Sequence, residues 1–204
     1  DKRPLNYALT DKKFNNLWDP RVIEILNSLN YKGSYKNMNF DCELRIGDAR
    51  KEILNLPKKV TFDLIFLDGF SPQKCPEIWS DEFLSQLKKK IKYEGYLITY
   101  TSSAAVRKSL QNLGFNLFNI IPTLSTRNHW SYGTLATFDY QQNNPYISQL
   151  SEMEIEHLNT KASIPYRDPT GEMLSKEILE IREKEQKFSN LLNTNSWRKR
   201  WELA

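Results

Sequence analysis

The places in this sequence where chemistry can sit are the polar ends of three apolar runs. The run Phe62-Asp63-Leu64-Ile65-Phe66-Leu67 is apolar enough for a sheet interior, yet it delivers Asp68, then Gly69, Phe70, Ser71 and Pro72. Aspartate is depleted in strands and buries badly without partners, so a carboxylate there needs a reason. Either it serves a ligand, or it caps a turn, since Asp-Gly is a common loop dipeptide. A second run, FDCELRI at 40–46, ends in Gly47-Asp48-Ala49, where an ordinary turn is an equal reading. The third, GYLITYT at 95–101, leads into Thr101-Ser102-Ser103. Ligands of open α/β sheets bind outside the carboxyl ends of the parallel strands, so the agreement of the three ends carries more than any one of them.

Other chemistries find little support. The seven glycines are spread singly, so no glycine-rich phosphate loop exists for a dinucleotide or triphosphate. No Ser-His-Asp or Cys-His arrangement stands out. Cys42 and Cys75 are far apart, with only His129 and His157 to help them, which argues against a metal and for two reduced thiols. The net charge of +4 comes largely from lysine and thickens at Lys88, Lys89, Lys90 and Lys92 and at Arg198, Lys199 and Arg200. That permits a polyanionic partner without demanding one, because Asp81 and Glu82 open the helix that the first lysines close, the order a helix dipole prefers. With 204 residues and 39% hydrophobic content the chain can bury a core. It has no apolar run of about eighteen residues and no signal-like N-terminus, so the expected address is cytoplasmic, away from membranes.

The elements that must position these ends follow from periodicity. Asp19-Pro20 opens an amphipathic helix through RVIEILNSLN, and the alternation in FDCELRI predicts a half-buried strand. FDLIFLD predicts a central strand, SDEFLSQLKKKIK a helix capped by Ser80, GYLITYT a strand, AAVRKSLQNLG a helix closed by Gly114, and FNLFNII and YGTLATFDY two final strands. Strands and helices alternating at this length predict a doubly wound α/β sheet, and the last two strands predict an antiparallel hairpin at one edge. From residue 143 the sequence turns polar, which predicts a helical C-terminal appendage over 143–204 that packs on a domain over 1–142. Its helix carries Leu174, Ile178, Ile181, Phe188 and Leu192 on one stripe, expected to pack as core.

The stretch FDLIFLDGFSPQKCPEIWSDEFLSQLKKKIKYEGYLITYTSSAAVRKSLQNLGF resembles the methyltransferase domain of MnmC-type tRNA-modifying enzymes. That family carries FLDGF-[AS]-P, N-P-[ED]-[IM]-W, G-x-L-x-T-[FY]-[TS]-[SA] and [VR]-R-x-x-L-x-x-x-GF in this order. Gly47-Asp48-Ala49 stands where the family has GDA, and Asp1-Lys2-Arg3-Pro4-Leu5 resembles its [ED]-K-x-P-L.

The resemblance implies a Rossmann-like fold that binds S-adenosylmethionine, with its first two strands and the glycine-rich loop upstream of residue 1. It implies methyl transfer to the aminomethyl group of a wobble 2-thiouridine in tRNA, by a stand-alone form without the flavin-dependent domain. Asp1 is then the ribose acid; Gly47, Asp48 and Ala49 lie on the adenine side; and Asp68 with Gly69 forms the reaction end, Asp68 aligning the amine. Phe70, Pro72 and Trp79 wall a base pocket, although simple packing under the loop is an equal reading for Trp79. Arg127 is a candidate for RNA phosphate, whereas His129 is better read as an ordinary loop residue. Since the implied upstream strands lie between FDCELRI and FDLIFLD in the usual order, either these two pair directly or a second copy of the chain fills the gap as a homodimer. The alternative class is a basic RNA-binding module or inactive remnant that binds no cofactor; a methyltransferase acting on a small amine is more distant.

Overall fold

Capping chemistry punctuates the first part of the chain. Helix α1 (Arg3–Thr10) ends at Asp11, whose side chain accepts from the Lys13 amide to start α2 (Lys12–Asn16). Asp19 accepts from the Arg21 amide at 2.9 Å and Pro20 takes the first position of α3 (Pro20–Lys32), which Gly33 closes in the left-handed region at φ 79°. Strands β1 (Ser34–Lys36) and β2 (Asp41–Glu43) then pair antiparallel around a turn in which Asn37 Oδ1 accepts from the amides of Asn39 and Phe40. Helix α4 (Ala49–Glu52) follows.

In the computed structural model the described residues are 2–121, 133–140 and 144–203. They form two compact units, Asp1–Asn55 and Leu56–Ala204. The strand expected over 40–46 is shorter than its alternation implies: its ladder covers Asp41–Glu43 alone and pairs with β1. The physical reason is local. The Leu44 amide still bonds in register to the Gly33 carbonyl at 2.8 Å, but Gly33 is the left-handed cap of α3 at φ 79°, so no strand continues beside residues 45 and 46 on that side.

The second unit holds β3 (Phe62–Phe66), a 3₁₀ turn (Pro76–Trp79), α5 (Asp81–Lys88), β4 (Ile91–Thr99), α6 (Ala104–Asn112), β5 (Asn116–Ile120) and β6 (Thr134–Thr137). It continues with β7 (Ile147–Gln149), α7 (Glu152–His157), α8 (Ser175–Phe188) and α9 (Thr194–Arg200). The sheet order is β3-β4-β6-β5-β7, parallel between β3 and β4 and antiparallel elsewhere. The expected hairpin of β5 and β6 is present, but its second strand turns inward between β4 and β5, and every residue of β6 is buried. Gly133 makes this possible: at φ 148° a Cβ there would lie 2.4 Å from the Thr99 carbonyl oxygen.

Strand β3 is not central in this sheet. Among the described residues it pairs with β4 alone, and Phe66 is 70% exposed. An apolar run reports that both faces tolerate burial; it does not report which strands stand beside it.

Residues beyond 143 pack into the same unit as the sheet. β7 adds a strand to it, Arg167 pairs with Asp81 and Glu185, and the Asp168 amide donates to Glu82 at 2.7 Å. Trp197 is buried, donates to the Met153 carbonyl at 3.1 Å and stacks on His157. The stripe on α8 is core only at Ile178: Leu174 and Phe188 are exposed, and Leu192 lies past the helix end. Polar bonds hold this helix instead, with Arg182 donating to the carbonyls of Ile164 and Ala162 and Gln186 to that of Lys161.

Candidate active site

Asp68 leaves the carboxyl end of β3 beside the parallel end of β4, where open sheets take their ligands. The last ladder bond before it is the Leu67 amide to the Ile98 carbonyl, 2.9 Å, and Leu67 is buried. The Asp68 side chain itself is exposed and has no hydrogen-bond partner among the described residues, so its acceptor capacity is open to a ligand. Gly69 comes next, and a Cβ there would lie 1.9 Å from Ile78 Cδ1, so any larger residue requires the Ile78 side chain to move. Phe70 follows with 77% of its surface exposed, a ring available for stacking.

Pro72 and Trp79 lie under this turn, which for Trp79 is the packing reading weighed beside the base pocket. Pro72 is buried, and Trp79 has no exposed surface. Trp79 Nε1 donates to the Phe70 carbonyl at 2.8 Å, so the ring supports the turn from beneath. The Tyr100 hydroxyl donates to the Gly69 carbonyl at 3.0 Å, and its ring meets Trp79 edge-on. Burial and then the negative charge of Asp68 raise the Tyr100 phenol above its ordinary pKa. Tyr100 was missed in the sequence because the GYLITYT pattern accounts for it as a strand residue.

Gly47, Asp48 and Ala49 lie together in the first unit, where Asp48 caps α4. Its carboxylate accepts from the Arg50 amide at 2.9 Å and from Arg50 Nη2 at 2.6 Å, bonds that hold its pKa below the ordinary range against the effect of partial burial. Arg50 Nε bonds to both carboxylate oxygens as well, at 3.1 and 3.2 Å, so the Arg50 amide and guanidinium together engage about all four acceptor sites of Asp48. Asp1, Arg127 and His129 lie outside the described residues.

A buried network braces the β4 end of the site. Arg107, on α6 and 2% exposed, donates to Thr134 Oγ1 at 2.8 Å, to Glu154 Oε1 at 2.8 Å and to Asn119 Oδ1 at 2.7 Å. Thr134 in turn donates to the Thr101 carbonyl at 2.7 Å. Glu154 also accepts from the Ser151 amide and from Asn119. Burial pushes its carboxyl up, but the bonds from Arg107, Ser151 and Asn119 together hold it below its ordinary value. Among the described residues no three His, Cys, Asp or Glu side chains gather as metal ligands, and no helix is long and apolar enough to cross a membrane.

Residues 12–135 match the family described as S-adenosyl-L-methionine-dependent methyltransferase. An uncharacterized protein of Methanocaldococcus jannaschii is 30% identical over 156 residues, 76% of this chain and 40% of that protein. The tRNA 5-methylaminomethyl-2-thiouridine biosynthesis bifunctional protein MnmC of Campylobacter hominis is 39% identical over 77 residues, 38% of this chain and 11% of that protein. The crystal structure of MnmC2 from Aquifex aeolicus superposes with a TM-score of 0.70 at 30% identity, over 82% of this chain and 51% of that one. The chain thus spans about half or less of the length of each of these relatives. Together with the acid and glycine at the end of β3, these likenesses show that the chain belongs to the S-adenosyl-L-methionine-dependent methyltransferases and carries a methyltransferase domain of the MnmC type.

Proposed function

We propose that this chain transfers a methyl group to the 5-aminomethyl nitrogen of a wobble 2-thiouridine in tRNA. The observation that carries the reading is the Asp68-Gly69-Phe70 turn: an exposed carboxylate at a parallel strand end, without a hydrogen-bond partner among the described residues, followed by an exposed aromatic ring. The tRNA 5-methylaminomethyl-2-thiouridine biosynthesis for which the MnmC relatives are named supports the choice of substrate.

The residues present fit the cofactor. Among the described residues Asp68 has open acceptor capacity, and Gly69 presents backbone without a side chain, while Arg50 holds Asp48 in a fixed orientation. In this reading Gly47, Asp48 and Ala49 hold the adenine side, and Asp68 and Gly69 the reaction end. When bound, S-adenosylmethionine supplies an electrophilic sulfonium methyl. Asp68 accepts a hydrogen bond from the substrate amine, aims its lone pair and shares the proton that the nitrogen loses. Phe70 stacks on the extruded base.

The test is methylation of tRNA carrying the aminomethyl wobble base, using tritiated S-adenosylmethionine. Label is expected in a nucleoside that co-migrates with 5-methylaminomethyl-2-thiouridine, and Asp68→Asn is expected to lower the rate about 100-fold. Absence of label together with absence of binding heat for S-adenosylhomocysteine overturns the proposal. If tRNA binding persists in that case, the chain is a basic RNA-binding module instead.

A further inference from the structure

Among the described residues Asp68 has no side-chain partner to aim it, and within them its direction is set by the backbone on either side. That backbone is held at three successive points. The Leu67 amide is bonded to β4 at 2.9 Å, the Gly69 carbonyl accepts from the Tyr100 hydroxyl at 3.0 Å, and the Phe70 carbonyl accepts from Trp79 Nε1 at 2.8 Å. The two side-chain donors come from different elements, the end of β4 and the 3₁₀ turn, and touch each other edge-on at 6.1 Å and 88°. Trp79 has no freedom to swing, because it is fully buried and its turn is anchored on both sides. Ser175 Oγ donates to Glu77 Oε1, and the Asp81 amide donates to the Tyr166 carbonyl at 2.9 Å. Tyr100 is different: it is 47% exposed, so its hydroxyl could be satisfied by water, and packing alone does not require the bond to Gly69.

We infer that Tyr100 and Trp79 are positioning residues for the reaction, pinning the carbonyls of Gly69 and Phe70 and thereby fixing the direction in which Asp68 meets the substrate amine. This rests on the reading of Asp68 given above. A misplacement of about 1 Å at a reacting group costs about 100-fold in rate, so even a modest loosening of the turn is visible in turnover.

The experiment is a double-mutant cycle on turnover, read beside hydrogen exchange. Tyr100→Phe keeps the ring and deletes the donor. It is expected to lower kcat about five- to tenfold, the size of one hydrogen bond, with KM for tRNA and cofactor within about twofold and an unchanged melting temperature. In the Asp68→Asn background the same substitution is expected to change kcat little, because the group it aims is gone. Independently of turnover, amide exchange in peptides covering 67–74 is expected to quicken in Tyr100→Phe and in Trp79→Phe, and peptides covering α6 are expected to stay unchanged in Tyr100→Phe. Equal kcat losses in both backgrounds, or an unchanged kcat and unchanged exchange in Tyr100→Phe, overturn the positioning role and leave the reading of Asp68 intact. Wild-type turnover in Asp68→Asn alone overturns both.

Discussion

Arg107→Met tests how the C-terminal region is joined to the sheet. The guanidinium is 2% exposed and bonds to Thr134, Glu154 and Asn119 within 2.8 Å, with a longer bond to the Gly133 carbonyl at 3.3 Å. Methionine fills similar space but donates nothing, so Glu154 Oε1 loses its donor while the carboxyl stays buried at 9% exposure. Removing one partner of a buried pair costs about 3–5 kcal/mol, because the charge left behind is unpaired. The bonds of Ser151 and Asn119 to Oε2 relieve part of this, which places the expected loss near the lower bound, about 3 kcal/mol. At a urea m-value of about 2 kcal/mol/M the midpoint then falls by about 1.5 M. Equilibrium unfolding followed by tryptophan fluorescence at pH 7.5 measures it. Adding Glu154→Leu is expected to recover part of the loss, since the stranded carboxylate is then gone, with a coupling of about 1–3 kcal/mol. A loss below about 1 kcal/mol in Arg107→Met, at an unchanged m-value, refutes the claim that this buried network joins α7 to the sheet.

Three further outcomes are expected. Gly69→Ala places a methyl group against Ile78 Cδ1 and should cost about 1–3 kcal/mol by thermal melting, with Ile78→Val restoring part of it. Phe70→Ala should leave stability within about 0.5 kcal/mol because the ring is exposed, yet weaken tRNA binding by about 5- to 100-fold in a filter-binding assay. Burial, followed by the positive charges of Arg107 and Arg198, depresses the His157 pKa against a smaller opposing effect of Glu154. The unfolded chain therefore binds the proton more tightly, so stability is complete above the ordinary histidine value and falls as pH drops below it. Urea midpoints at pH 7.5 and 5.5 measure that fall, and His157→Phe, which keeps a ring against Trp197, should flatten it.

Local signals were legible wherever neighbouring residues decide the outcome. Asp19-Pro20 started α3, Ser80 capped α5, and the alternation in GYLITYT gave β4 its buried face. The acid and glycine after FDLIFL marked the candidate site, since an aspartate at the end of an apolar strand conflicts with burial whatever the partners are. What required the third dimension was every question of who stands beside whom. Apolar pattern alone did not place β3 at the sheet edge or β6 in its middle, and it did not bring Tyr100 and Trp79 onto the carbonyls of Gly69 and Phe70. Nor did it distinguish a tail from a structural part of the sheet unit, because Arg107 and Glu154 are joined across a separation of 47 residues. By itself the sequence determined α3, α5, α6, the strands β3 to β6 and the polar ends they deliver, because caps, turns and periodicity act over a few residues. Only the tertiary structure decided strand order, the support beneath Asp68 and the burial of Trp79, because those depend on contacts between segments that no local pattern encodes.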